Sequence, residues 1–310
     1  MLAKCIPAIF ALVLFGFAAN LGAQQKPPLK LIATTPLPGF SGDFDHFGLD
    51  LKGKRLFLAA EDHQTVEIFD LDGKRLHSIT GFDQPHAIHY MPAVNKMIVT
   101  DGDGFGALEL VDGKDYKILD KIKLPPGVDG AIYDPVNRYY YVESGGEETG
   151  GKTHKINIID TKTFKLVGDI TLPGNHSEAM QITRDGKTMY VNLTGPKEVG
   201  VVNLKTRELV ARWPIPDAKT PNSMALDEPH HRLFIATREP PKFFVFNTET
   251  GKVIATADIS PFNDDMWFDV ARKRIYLSGS ETTPVLEQKD ADHYEHVADV
   301  PTGYRAKTSL

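Results

Sequence analysis

The stretch MALDEPHHRLFIATREPPKFFVFNTETGKVIATADI, residues 224–259, decides the fold. It contains four short runs with strand character. The first is apolar and closes on Asp227. The second follows a basic residue, as Arg232-Leu233-Phe234-Ile235. The third is the aromatic run Phe243-Phe244-Val245-Phe246, ending at Asn247, and the fourth begins at Val253 after a Thr250-Gly251-Lys252 turn. Each run is too short and too β-branched or aromatic for a helix, and Pro, Gly, Asn or Asp separates it from the next. The same order of signals recurs along the chain. First strands close on Asp50, Asp134, Asp227 and Asp269, and basic-led strands open at Arg55, Lys96, Arg232 and Arg274. Third strands end at Asp70, Asp112, Asp160, Asn203, Asn247 and Glu287.

Aligned on the closing acid, six copies place Asp50, Met91, Asp134, Thr183, Asp227 and Asp269 in one column, with spacings of 41, 43, 49, 44 and 42 residues. A period of this length with four strands per unit describes propeller blades, whose sheets bury both faces against their neighbours. The spacing predicts an all-β chain with one β-propeller domain over residues 24–310. The longest interval holds Ser144-Gly145-Gly146-Glu147-Glu148-Thr149-Gly150-Gly151, which reads as a loop between the second and third strands of blade three. The ends suggest a seven-bladed design. LKLIATTPLPG at 29–39 copies the fourth-strand pattern FKLVGDITLPG at 164–174, so an orphan outer strand is expected beside an inner strand at 303–310. The seventh blade would then lack its two middle strands, an incompleteness of roughly 25 residues at the C-terminus.

Residues 1–23 carry Lys4, an apolar run from Ile6 to Ala19 and a small-residue end at Leu21-Gly22-Ala23. That is the pattern of a cleaved secretory signal peptide, shorter in its apolar part than the ~20 residues of a membrane span. The expected mature chain is periplasmic or secreted and has no transmembrane segment. Cys5, the sole cysteine, leaves with the signal, which excludes disulfides, thiolate metal sites and a cysteine nucleophile. Without Lys4 the balance is 34 basic against 41 acidic residues. No basic cluster offers the footprint that nucleic acid requires, so no nucleic-acid partner is expected.

The candidate site comes from the alignment. Five residues before the closing-acid column stand Asp45, His86, Asp129, Glu178, Asn222 and Asp264, with His46, His176 and Asp265 nearby and Lys307 in the corresponding place of the C-terminal fragment. Inner strands line the axial channel of a propeller, so one such position per blade makes a ring at one mouth. Close carboxylates repel unless protons, water or a cation offset them. Asp45, Asp129, Glu178, Asn222 and Asp264 form an oxygen set suited to Ca²⁺ or Mg²⁺, and His86 or His176 would shift the preference toward Zn²⁺. Solvation alone also selects Asp and Asn at strand starts, where their side chains satisfy backbone donors. Asp101-Gly102-Asp103-Gly104 lacks the later ligands of an EF-hand and reads as a tight turn.

Asp-x-x-x-x-Arg-Leu-Phe at 50–57, Arg-Tyr-Tyr-Tyr-Val at 138–142, Lys-Thr-Met-Tyr-Val-Asn at 187–192 and Asn-Thr-Glu-Thr-Gly-Lys at 247–252 resemble the YncE-like, YVTN-repeat β-propeller family of exported bacterial proteins. The resemblance covers nearly the whole mature chain. It implies a seven-bladed propeller and a binding protein without agreed catalytic residues. The expected partner is a small molecule, peptide or protein at the channel mouth. The alternative, drawn from neighbouring propeller families that include metal-dependent lactonases, is a divalent-metal-dependent hydrolase or lyase at the same site. No catalytic residue is assigned.

Overall fold

Among the described residues, the repeat read from the sequence folds as six four-stranded antiparallel sheets, each made from four consecutive strands. The computed structural model describes residues 27–102 and 104–310. The inner strands are Phe47–Asp50, Pro85–Met91, Ala131–Asp134, Ser177–Ile182, Lys219–Asp227 and Met266–Asp269. Helix among the described residues is confined to three short 3₁₀ turns. No helix there is long and apolar enough to cross a membrane.

The turn columns behave as side-chain chemistry dictates. Asp112 Oδ1 accepts from Lys114 N at 2.7 Å, Asp160 Oδ1 from Lys162 N at 2.8 Å and Asn203 Oδ1 from Lys205 N at 3.0 Å, closing the hairpin between third and fourth strands. Glu287 departs from this: one methylene too long for the turn, it pairs with Lys289 at 2.7 Å instead. Every blade also breaks register between its third and fourth strands, at Ile68/Phe69, Leu110/Val111, Ile158/Ile159, Val201/Val202, Val245/Phe246 and Val285/Leu286. A bulge adds local twist, and six at one position give the blades a common shape.

Apolar clusters join successive blades. Phe57 and Ile68 of blade one meet Met97 and Val99 of blade two, and further clusters join blades two and three, three and four, four and five, and five and six. Phe234, Phe243, Phe244 and Phe246 are at most 2% exposed. Each such side chain contributes about 1.5–3 kcal/mol by burial.

The expectation of a seventh blade is not met. Residues 27–46 and 302–310 contain no strand. Each third strand already pairs with the fourth strand of its own repeat, so no unpaired third strand is left among the described residues for the segment at 29–39 to flank. Leu31 and Ile32 stay 79% and 91% exposed, and Thr35 Oγ1 donates to the Gly73 carbonyl of blade one at 2.5 Å. The junction between blades six and one differs in kind from the other five, since no apolar cluster spans it among the described residues. The C-terminal segment bridges it with polar contacts: on the blade-one side Arg305 Nη2 reaches Asp43 Oδ2 at 3.3 Å, and residues 307–309 hold the blade-six side. Lys307 C=O accepts from Asp265 N at 3.3 Å, Ser309 N donates to Asp265 Oδ2 at 2.8 Å, and Trp267 Nε1 donates to Ser309 C=O at 3.2 Å.

Candidate functional site at the axial channel mouth

Ring residues reach the mouth in two ways. In blades two, four and five the inner-strand ladder breaks at Pro85/Ile88, Ser177/Met180 and Pro221/Met224, and His86, Glu178 and Asn222 lie inside those irregularities. A bulge re-aims the side chain it carries. In blades one, three and six the inner strand starts later, leaving Asp45, Asp129 and Asp264 just before the first paired residue.

The side chains form a chain of contacts around the mouth. His86 Nδ1 is 2.6 Å from Asp45 Oδ2 and 3.8 Å from Asp129 Oδ1. His46 lies 3.2 Å from Asp265 and 3.7 Å from Asp45, spanning the junction of blades six and one. His176 Nε2 is 3.3 Å from Glu178 Oε1 and 3.9 Å from Asp129 Oδ2, and its Nδ1 is 3.0 Å from Glu143 Oε1. Lys307 Nζ sits 2.8 Å from Asp264, 3.7 Å from Asp45 and 4.0 Å from Asp43. Asp264 also accepts from Arg238 Nη2 at 2.8 Å.

These contacts revise the electrostatic reading. The aligned column holds no arginine, yet Arg238, Lys307 and three imidazoles offset much of the carboxylate repulsion from within the protein. Burial would raise Asp45, but His46, His86 and Lys307 hold it well below the usual carboxylate range. Burial lowers His86 on its own, and Asp129, Asp45 and Glu61 overcome that to push it up to about 9. His176 behaves likewise: against burial, Glu143 and Glu178 push it up to about 12. Glu143, wholly buried, is raised to about 7 by burial, with His176 opposing. Burial also raises Asp264 to about 6, although Lys307 and His46 pull the other way.

The five oxygen ligands expected from the sequence are not brought together as one close set among the described residues. Asp264 is held by Arg238 and Lys307, and Asp45 by His86. Among the described residues, three His-and-carboxylate groups have mutually close donors: Asp45 with His46 and Asp129, Asp45 with Glu61 and His86, and Asp129 with His176 and Glu178. Asn222 stands apart. Only 1% exposed, it keeps both amide atoms without a hydrogen-bond partner among the described residues, while its backbone carbonyl accepts from Asn192 Nδ2 at 2.7 Å.

Two cavities meet at Glu178. Above the ring, about 620 Å³ opens between the loops of blades two, three and four, lined by His86, Asp129, Glu147, His176 and Glu178. Below it, about 450 Å³ of axial channel runs between the inner strands, with His46, Glu178, Asn222, Asp264 and Asp265 among its polar lining and Met180, Met224, Trp267 and Phe268 among its apolar wall. Alignment of the inner strands alone misses Glu143, Arg238 and Glu61. The signal for the first two was a charged residue ending an otherwise apolar second strand, Tyr-Tyr-Tyr-Val-Glu143 and Leu-Phe-Ile-Ala-Thr-Arg238. Asp101 of the Asp-Gly-Asp-Gly stretch accepts backbone bonds from Asp83 N and Gln84 N at 3.0 and 2.5 Å, so it supports a loop.

No protein-family model matches the sequence, and no curated protein matches it. Among solved structures the chain is similar to hydrazine synthase of Kuenenia stuttgartiensis, with a TM-score of 0.75 over 93% of this chain and 92% of that one, at 18% identity. At that identity the likeness concerns the β-propeller fold alone.

Proposed function

We propose that this chain is an exported, YncE-like binding protein that takes a small, polar or cationic organic ligand in the axial channel beneath the ring. The observation that carries this reading is the Asn222 amide, buried and unpaired among the described residues on the wall of a cavity of about 450 Å³. An unsatisfied buried amide costs about 1–3 kcal/mol, and the protein gains that back when a ligand or water pairs with it. The volume lies in the range of small-molecule sites, and the wall combines apolar side chains with a few polar groups, as such sites do. Carboxyl groups outnumber basic side chains around the mouth, which favours a ligand bearing positive charge or several donors. Asp45, His46, His86, Asp129, His176, Glu178, Asp264 and Asp265 then serve as its contacts or as supports for them.

A thermal-shift screen of amines, amino acids and quaternary ammonium compounds tests this on chelator-treated protein. Asn222→Leu should leave the unliganded melting temperature equal or higher, because it removes the unpaired amide, and should abolish the shift given by any hit. A hit that stabilises the Asn222→Leu variant as much as the parent would place binding elsewhere.

Export rests on Lys4, the apolar run from Ile6 to Ala19 and the small residues before Gln24; all of these lie outside the described residues. Intact-mass measurement of protein expressed with its full N-terminus in a bacterium should give a chain beginning at Gln24 in the periplasmic or secreted fraction. Recovery of the uncleaved chain in the cytoplasm would refute it.

A further inference from the structure

We propose that Asp129, His176 and Glu178 form a binding site for a divalent first-row transition ion of the Zn²⁺ type, with Glu143 as the positioning residue behind His176. The inference deepens the axial-site reading and rests on it only for location, since Glu178 lines both cavities.

Geometry separates this trio from the other two. Ligand bonds of about 2.1 Å place neighbouring donors roughly 3.0–3.4 Å apart in octahedral or tetrahedral sites. His176 Nε2 lies 3.3 Å from Glu178 Oε1 and 3.9 Å from Asp129 Oδ2, so small side-chain adjustments admit an ion between them. In the trio of Asp45, Glu61 and His86, the 2.6 Å contact between His86 Nδ1 and Asp45 Oδ2 is already a closed hydrogen bond. In the trio of Asp45, His46 and Asp129, Asp45 is committed to His86 and lies near Lys307, and His46 is 3.2 Å from Asp265. Asp129, by contrast, accepts no hydrogen bond among the described residues, and its nearest basic atoms are the two imidazole nitrogens at 3.8 and 3.9 Å.

Glu143 supplies an independent observation. It is 0% exposed, its Oε1 lies 3.0 Å from His176 Nδ1 and accepts from Ser177 N at 2.7 Å, and its Oε2 has no partner among the described residues. A carboxylate on the far nitrogen of a ligating histidine fixes the ring's tautomer and aim, and raises its basicity. His176 is thereby held with Nε2 toward Asp129 and Glu178. On binding, the ion would exchange coordinated waters for Nε2 and one oxygen each of Asp129 and Glu178, and the waters and the Nε2 proton would leave to solvent. One nitrogen and two carboxylates suit Zn²⁺, Co²⁺, Mn²⁺ or Ni²⁺ better than Ca²⁺ or Mg²⁺. All three side chains line the cavity of about 620 Å³.

The test uses the mature chain after chelator treatment, titrated with Zn²⁺ alone, and with Co²⁺ as a visible-absorbing stand-in. One equivalent should bind, Co²⁺ should develop ligand-field bands, and Ca²⁺ and Mg²⁺ should not compete at equal concentration. Asp129→Asn with Glu178→Gln preserves volume at partly exposed positions and should weaken Zn²⁺ binding at least 100-fold, with unchanged circular dichroism. Glu143→Gln, folding checked the same way, should weaken it about 10- to 100-fold and alter the Co²⁺ spectrum. Absence of a bound equivalent, competition by Ca²⁺ or Mg²⁺, or a doubly substituted protein that binds like the parent each overturns the proposal. The organic-ligand reading is separately decided by Asn222→Leu in metal-free protein, so either can fail without the other.

Discussion

Replacing Lys307 with methionine lowers the melting temperature by about 10 °C, the largest single-residue effect expected outside the apolar cores. The substitution keeps most of the aliphatic stem and removes only the ammonium. That ammonium is 2.8 Å from Asp264 and 3.7 Å from Asp45, carboxylates with side chains only 8% and 6% exposed. Breaking a buried pair by deleting one partner costs about 3–5 kcal/mol, because the other charge stays buried. The low end applies, since Arg238 still holds Asp264 and His86 still holds Asp45. A loss of about 3 kcal/mol corresponds to roughly 6–12 °C in a domain of this size. The effect is large because of where it falls. Five blade junctions are apolar, and the sixth depends on residues 303–309, with Lys307 joining the start of blade one to the start of blade six. Adding Asp264→Asn to Lys307→Met should recover part of the loss, a coupling that a double-mutant cycle measures. A Lys307→Met protein that melts within 2 °C of the parent would show that the junction does not rely on this ion pair.

The sequence made the blade legible because its determinants are local. Val, Ile, Phe and Tyr runs, turn acids such as Asp112 and Asp160, and the even spacing between copies each act within a few residues. The ring was legible for the same reason, since one position per repeat must fall at one height of the channel. Closure was not, because it depends on contacts between chain ends. Residues 29–39 look like an outer strand, but an outer strand needs an unpaired third strand beside it, which no amount of local pattern reveals. Lys307 could be placed only approximately by counting, yet its ammonium lies between Asp45 and Asp264. The partition of the ring was also hidden. Glu143 and Arg238 come from second strands, and they decide which carboxylates are neutralised internally and which face the cavity. The inner-strand irregularities at His86, Glu178 and Asn222 leave no mark in composition, although they aim the side chains that matter most.

Acidification should destabilise the parent protein more than a His89→Phe variant, by about 2 kcal/mol between pH 7.5 and pH 4.5. His89 lies on the wall of the axial cavity, its ring 4.3 Å from that of Tyr133 and 5.5 Å from that of Tyr140. Burial alone pushes its imidazole down to about 4, with no charged neighbour contributing. In the unfolded chain the same group titrates near 6.5. The unfolded state therefore takes up a proton as pH falls below about 6.5, while the folded state resists until about 4. The stability tied to the neutral ring is fully present above 6.5 and is lost progressively down to about 4, at most by about 3 kcal/mol and somewhat less by pH 4.5. Glu143 and Asp264, raised to about 7 and about 6, act in the opposite sense, because the folded protein takes up their protons first on acidification. The absolute pH profile thus mixes gains and losses, and the difference between variant and parent isolates His89. Phenylalanine keeps a flat ring against Tyr133 and Tyr140, so the variant should fold and stack similarly at pH 7.5. Urea midpoints of both proteins at the two pH values measure the effect, and profiles that run parallel would mean that His89 accepts its proton in the folded state as readily as in the unfolded one.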